Sequence, residues 1–363
     1  MSFKVAVLRE TRPGEARVAM VPAVAAQLEK MGAEVRYQAE AAEASTADVV
    51  LGVQAPELAV AEAMKPGAVL ISFIQAAQQP ALVARLRDRQ ITCFAMELVP
   101  RISRAQAMDA LSSQAALAGY HAVLLGATQL GRVVPRMTTA AGVVRPATAL
   151  VLGLGVAGLQ AIATLRRLGA VIEAYDVRPE TQEEAESLGA KFVATGVDAR
   201  GEGGYARELT AAERATIEAA LTAHIQAADL IITAAAVPGR RAPRLISQRQ
   251  VEGMKAGAVI VDLGAEGGGN CEASRPGETV RVPGKSGEVT IVAPLNIASR
   301  LAEHASELYA KNVLNLLKLM IAEGGLKLDW TDEVVAQTAL THGGEIKNAA
   351  ARSAVEAVAA PQG

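Results

Sequence analysis

Three glycines and an acid carry the sharpest chemical signal in the chain. Gly153-Leu154-Gly155-Val156-Ala157-Gly158 follows an apolar run and opens a helical pattern, and Asp176 ends the next apolar run. In a strand-turn-helix context the first glycine permits the tight turn and the second lets a pyrophosphate reach the amides of the helix N-terminus. The third lets helix and strand approach closely. An acid placed as Asp176 is would bind an adenosine ribose diol and repel a 2′-phosphate, favouring NAD over NADP, although Arg178 two residues later weakens that preference. The plainer alternative is a set of glycines that serve only close packing.

A second concentration of polar groups is Arg101-Ile102-Ser103-Arg104-Ala105-Gln106-Ala107-Met108-Asp109-Ala110-Leu111-Ser112-Ser113. On its own this spacing also fits a capped helix start, with Ser103 as N-cap and Asp109 a solvated residue. His121, His224, His304 and His342 have no metal-ligand spacing, so no metal site is expected. Cys93 lies in an apolar run and reads as core. Cys271 follows a glycine run, where a reactive thiol is the alternative to a buried one.

The elements that must position these groups alternate between strand and helix. Phe3 to Arg9, Val35 to Tyr37, Val49 to Val53, Val69 to Phe73 and Ile91 to Met96 read as strands. Pro22 opens a helix that stops at Gly32, and Pro80 to Arg87 forms another. A long helical pattern from about Ala105 to Leu130 carries the chain onward. Strands Thr148 to Leu152, Val171 to Tyr175, Lys191 to Ala194, Leu230 to Ala234 and Ala258 to Leu263 follow, in a sheet of about six or seven strands. Helices start at Pro179 and at Thr210, where Thr210 and Glu213 form a capping box. Gly201 to Tyr205 is too rich in glycine for an element and reads as a mobile loop. A long helix from Ser299 to Ala322 returns the chain to its first lobe, and the Ala-rich tail from Ala349 is expected to fray. The pattern predicts an α/β fold of two Rossmann-like lobes with parallel sheets, joined by long helices, with a cleft between them. The lobes are expected at 1–115 with 300–363, and at 116–299.

Composition limits the function classes. The chain has 363 residues, with 51% hydrophobic, 20% charged and only 3% aromatic residues, as expected for helices packed on parallel sheets. A formal net charge of -2 and the lack of a basic run with interleaved aromatics argue against a nucleic-acid partner. Two cysteines far apart suit a reducing, cytoplasmic setting. Met1 to Arg9 has no signal-peptide character. Uncharged stretches at 66–84, 110–131 and 146–165 reach membrane-spanning length, but glutamines, serines, prolines and glycines within them favour buried elements.

Four segments together resemble a known family. They are Arg9 to Ala19, Pro100 to Tyr120, the fingerprint continued through Ala163, and Val261-Asp262-Leu263 followed by Gly267 to Cys271. They are similar to the NAD(H)-binding component, domain I, of proton-translocating nicotinamide nucleotide transhydrogenase, over nearly the whole chain. The wider superfamily includes alanine dehydrogenase.

The resemblance implies direct hydride transfer between NADH and NADP⁺ held by a partner component. It also implies coupling through a membrane-spanning proton channel, a homodimer, and peripheral attachment to the inner membrane through partner subunits. It assigns catalytic positions to Arg101, Gln106 and Asp109. It further assigns NAD(H) contacts to Ile102, Ser103, Arg104, Leu111, Ser112, Gly153, Gly155, Val156, Gly158, Asp176, Val177, Arg178 and Ala236, and to Gly204 and Tyr205 of a closing loop. Two departures stand out: the segment between Tyr37 and Val49 is short, and Thr233-Ala234-Ala235-Ala236 replaces a small-polar strand end.

Chemistry separates the rival readings. A dehydrogenase acting on an amino acid must move a proton as well as a hydride, so it needs a positioned acid or base and a cation for the substrate carboxylate. Gln54 and Gln75 stand where alanine dehydrogenase has its lysine and histidine, and Glu266 replaces its aspartate. Only Arg17 remains, with a structural ion pair as its plainer role. A stand-alone amino-acid dehydrogenase and a non-catalytic NAD(H)-sensing module are the two alternatives.

Overall fold

Most of the apolar runs become parallel strands because both of their faces are covered. The computed structural model describes residues 2–201, 207–236 and 241–359, and the chain divides into two compact units, 1–114 with 299–363, and 115–298. In chain order the strands are β1 (Phe3–Leu8), β2 (Ala33–Ala39), β3 (Val49–Leu51), β4 (Val69–Ser72), β5 (Thr92–Ala95), β6 (Met137–Thr139), β7 (Gly142–Val144), β8 (Thr148–Leu152) and β9 (Val171–Tyr175). They continue as β10 (Lys191–Phe192), β11 (Leu230–Thr233), β12 (Val259–Asp262), β13 (Thr279–Pro283), β14 (Glu288–Val292), β15 (Ile321–Ala322), β16 (Gly325–Leu326), β17 (Ala339–His342) and β18 (Glu345–Ile346).

The first unit holds a seven-stranded sheet in the order β18-β17-β5-β4-β3-β1-β2. Its five N-terminal strands are parallel and β17 joins β5 antiparallel. Their order, 2-1-3-4-5, is the flavodoxin-like variant of the doubly wound fold. Successive residues face opposite layers: Val5, Val7, Val49, Leu51, Val69 and Ile71 enter one core, while Ala6, Leu8, Val50, Leu70 and Cys93 enter the other.

The second unit has the order β10-β9-β8-β11-β12-β14-β13. All its pairings are parallel except β13 on β14. Its six parallel strands follow the 3-2-1-4-5-6 order of dinucleotide-binding folds, with the direction of winding reversing between β8 and β11. Leu152 pairs with both Tyr175 and Thr233, so Gly153, Asp176 and Ala234 emerge together at the C-terminal edge. That edge, at the switch point, is where such sheets bind ligands.

The α/β class and two parallel-dominated sheets agree with the sequence reading. Several local expectations change. The long helix begins at Ala110 and runs to Gln129, because Ser103–Met108 is a 3₁₀ segment that ends at Asp109. The returning helix spans Ala302–Lys318, after a 3₁₀ turn at Ile297–Leu301. The tail is not frayed through Ala359: Ala349–Ala359 is helical, with Ala351 and Val355 buried in the second core of the first unit. The short Tyr37-to-Val49 segment still holds a four-residue helix, Ala41–Ala44, with a capping box from Glu40 and Glu43. The Thr210–Glu213 box is present, Glu213 Oε2 accepting from Thr210 N at 2.9 Å.

Candidate functional site

In the second unit the fingerprint glycines divide into two kinds. Gly153 has φ +92°, and a Cβ there would lie 2.6 Å from Ala235 N. A Cβ at Gly158 would collide with the Gly153 carbonyl oxygen. Both glycines therefore serve the close approach of strand, helix and neighbouring loop. Gly155 differs: its backbone is extended, it is the N-cap of the helix Val156–Arg167, and a Cβ on it would meet nothing within 4 Å. That open space beside the first-turn amides fits a pyrophosphate, since unpaired amide groups and the helix dipole both favour an anion.

Asp176 is buried and already engaged. Its carboxylate accepts from Leu154 N at 2.7 Å, Arg178 N at 2.9 Å, and Arg178 Nε and Nη2, each at 2.8 Å. The acid thus ties the glycine turn to the end of β9. Its charge is partly offset by Arg178, so the repulsion of a 2′-phosphate expected from the acid alone is reduced. Val177 packs on the second unit's core, and Ala236 is exposed. Gly204 and Tyr205 lie outside the described residues.

The loop beside Ala235 is held by a residue whose role is not apparent from its motif. Asn270 is fully buried and its Nδ2 donates to Ala235 O and Pro243 O, both at 2.8 Å. Asn270 N in turn donates to Asp262, whose carboxylate also accepts from Thr233 Oγ1, Gly264 N, Cys271 N and Ser274 Oγ. The Gly267–Cys271 motif therefore supports the strand ends around the glycine turn.

In the first unit the polar loop is not a Ser103-capped helix, and Asp109 is bonded rather than simply solvated. Ala105 and Met108 are buried in the core, and Ile102 and Leu111 pack against it. Asp109 caps the helix Ala110–Gln129, accepting from Ser112 N at 2.9 Å and Ser112 Oγ at 2.6 Å. Arg104 is bound by both oxygens of Asp332, at 2.7 and 3.0 Å. Arg101, Ser103 and Gln106 have exposed side chains.

Elsewhere in the same unit, Arg17 is enclosed by its own chain. Its side chain is 5% exposed and that of Glu15 is 0%. Arg17 donates to Glu15 at 2.6 and 2.8 Å and to Gln114 Oε1 at 2.8 Å, and Gln54 Nε2 donates to Glu15 at 2.7 Å. Burial pushes the Glu15 carboxyl up, but the Arg17 guanidinium overrides it and holds the group at about 2. Glu97 is pushed up by burial while accepting from the amides of Ile74 and Gln75. In the second unit, Glu266 accepts from Asn296 N at 2.6 Å.

The remaining candidates are structural. Cys93 and Cys271 are buried, and burial pushes the first thiol well above its ordinary range and the second to about 11. The reactive-thiol alternative for Cys271 is thereby set aside. Among the described residues no group of three or more His, Cys, Asp or Glu side chains could hold a metal, and no helix is long and apolar enough to cross a membrane.

Comparisons with known proteins match segments of both units. Residues 29–118 match the alanine dehydrogenase/PNT N-terminal domain and 122–349 match the alanine dehydrogenase/PNT C-terminal domain. The chain belongs to the alanine dehydrogenase/PNT family. It is 43% identical to the first part of NAD(P) transhydrogenase subunit alpha of Rhodospirillum rubrum, covering 95% of this chain and 97% of that one. It is 31% identical to alanine dehydrogenase of Mycobacterium tuberculosis, covering 76% of each. A solved transhydrogenase structure from Sinorhizobium meliloti superposes with a TM-score of 0.82 at 40% identity, over 96% of this chain and 99% of that one. Within the family, the chain is a transhydrogenase component and an oxidoreductase. Membership implies NAD(H) as cofactor.

Proposed function

We propose that this chain binds NAD(H) and positions it for direct hydride exchange with NADP(H) held by a partner component, without any substrate proton. When bound, NADH supplies the hydride from its dihydronicotinamide ring, which leaves as NAD⁺ while NADP⁺ becomes NADPH. The chain's own part is orientation and exclusion of water. The amides after Gly155 hold the pyrophosphate, while Asp176 and Arg178 face the adenosine ribose. Arg101 and Gln106 contact the nicotinamide end. Asp109 fixes the helix start and Ser112 beside them.

The observation that carries this reading is the closed Glu15–Arg17 pair. An amino-acid or hydroxy-acid dehydrogenase needs a cation for its substrate carboxylate and an acid or base. Here the cation is taken up by Glu15 and Gln114, and Gln54 is spent on Glu15. Hydride exchange between two nicotinamides needs neither group.

The proposed partners are an NADP(H)-binding component and a membrane-spanning proton-channel component, through which the chain is attached peripherally to the membrane from the cytoplasmic side. A second copy of this chain is the further proposed partner. Its support is the β6–β7 hairpin, whose Met137, Val143 and Val144 are all exposed, a costly arrangement for apolar side chains left in water. The deciding experiment mixes the NADH-loaded chain with a soluble NADP⁺-binding transhydrogenase domain and follows NADPH. Transfer that needs both proteins and is lost in Gln106→Ala supports the proposal. Binding of NADH with no transfer, together with NADH oxidation by pyruvate and ammonium, overturns it.

A further inference from the structure

Hydride exchange demands a loop held in place, and the Ser103–Met108 turn is poorly suited to hold itself. A 3₁₀ segment has weak hydrogen-bond geometry and rarely persists without outside support. Its three residues per turn align positions i and i+3, so the loop has three faces. Ile102, Ala105 and Met108 form the face that enters the core. Ser103, Gln106 and Asp109 form the second. Arg104 and Ala107 belong to the third, and both are gripped from outside.

Arg104 makes its two bonds to Asp332, at 3.0 and 2.7 Å. The Ala107 carbonyl accepts from Asn312 Nδ2 at 2.9 Å and from Asn315 Nδ2 at 3.2 Å. Asn312 is 7% exposed, and its Oδ1 accepts from Ser113 Oγ at 2.8 Å, which links the same post to the first turn of the helix Ala110–Gln129. Asp332 is itself fixed: its Oδ1 caps the helix Glu333–Thr338 by accepting from Val334 N and Val335 N. Two residues earlier, Trp330 is stacked on Phe94 with centroids 6.2 Å apart. An exposed ion pair by itself adds little stability. A two-bonded arginine whose acceptor is locked by a helix cap instead sets geometry.

We propose that Asp332 and Asn312 are positioning residues for hydride transfer, and that Arg104 is a strut to Asp332 rather than a nucleotide ligand. The inference rests on the function proposed above. It holds the Gln106 face of the turn in a single orientation by fixing the other two faces. Loss of one post shifts the turn while leaving the pyrophosphate site in the other unit intact.

The test uses the full chain with Asp332→Asn, Arg104→Ala and the double substitution. Asparagine still caps the helix, so Asp332→Asn removes the charge and not the cap, and exposed Arg104 has no folding role to lose. Transfer from saturating NADH to a soluble NADP⁺-binding domain is expected to slow about 10- to 100-fold in each single variant. The NADH dissociation constant is expected to stay within about twofold of the parent, because positioning acts on kcat. The double variant is expected to be no slower than either single one. Hydrogen exchange at the amides of 101–109 is expected to quicken in all three. Parent-like transfer in Asp332→Asn, weakened NADH binding in Arg104→Ala alone, or additive losses would each overturn the strut. Failure of the unsubstituted chain to transfer refutes the function proposed above and not the strut, which unchanged amide protection in Asp332→Asn would then overturn by itself.

Discussion

Substituting alanine at Gly155 and at Gly158 separates binding from packing within a single turn of chain. Gly155 sits at φ −79° and ψ −168°, a conformation open to any residue, and its added methyl would meet nothing within 4 Å. Two small effects on stability oppose each other: a stiffer unfolded chain gains roughly 0.4–1 kcal/mol, and a poorer N-cap loses about as much. Gly155→Ala should therefore leave the melting temperature within about 4 °C of the parent. The same methyl occupies the space in which a pyrophosphate would approach the amides. Losing one amide bond to a charged group costs about 1.5–3 kcal/mol, which weakens NADH binding about 10- to 100-fold. Gly158→Ala should show the converse. Its methyl runs into the Gly153 carbonyl, so helix and strand must separate, at an overpacking cost of about 1–3 kcal/mol or more. Fluorescence titration with NADH and a thermal melt on both variants read the two effects. If Gly155→Ala binds NADH like the parent, the glycines serve packing alone and the pyrophosphate assignment is wrong.

Three further outcomes follow from the electrostatics. Glu15→Gln strands a buried guanidinium, and breaking such a pair costs about 3–5 kcal/mol, seen as a melting temperature lower by roughly 10 °C; a drop under about 2 °C would mean the pair is dispensable. Because Glu15 is held at about 2, below its ordinary 4.5, its contribution is present above that ordinary value and is lost as pH falls toward 2, so the variant should melt with a flatter acid limb. His342 is pushed below 6.5 by burial and by Lys347, and its ring lies 4.0 Å from that of Trp330, the chain's single tryptophan. Its depressed value means the unfolded chain takes the proton first, so stability falls as pH drops below about 6.5. Tryptophan emission should be quenched over the same interval, and His342→Gln should abolish that titration; an unchanged curve in the variant refutes the assignment. Cys93 and Cys271 should ignore an aromatic disulfide reagent at about pH 8 until the chain is denatured, when both should react; fast labelling of the folded chain contradicts their burial.

The parts of this fold that are legible in the sequence are those written locally. Val171 to Tyr175 is a strand with those limits because its apolar run ends at an acid and begins after a glycine stop. The box at Thr210 and Glu213 is readable because both partners lie within one turn. Asp109 misleads for a related reason. Ser103 and Asp109 are equally good caps by type, and only burial of Ala105 and Met108 in the core decides that the chain forms a 3₁₀ turn first and starts its helix later. β17 and β18 escape a sequence reading, since each is short and antiparallel and is fixed by pairing rather than by its own pattern. The fingerprint is legible as a motif, but which glycine faces open space is not. Long-range polar bonds are hidden altogether: Arg104 and Asp332 are 228 positions apart, and Arg17 and Gln114 are 97 apart. Spacing along a chain carries no record of such partners.

The pairing of Arg17 with Glu15 amounts to a built-in competitor. A free carboxylate seeking that guanidinium meets a tethered one, whose effective concentration is at least millimolar even for a flexible link and which is here already in place with a 2.6 Å bond. A small acid must therefore displace that tethered partner before it can take its place on the guanidinium. Turning this chain toward amino or keto acids would begin by removing Glu15, and only then by adding the acid–base groups such a reaction requires.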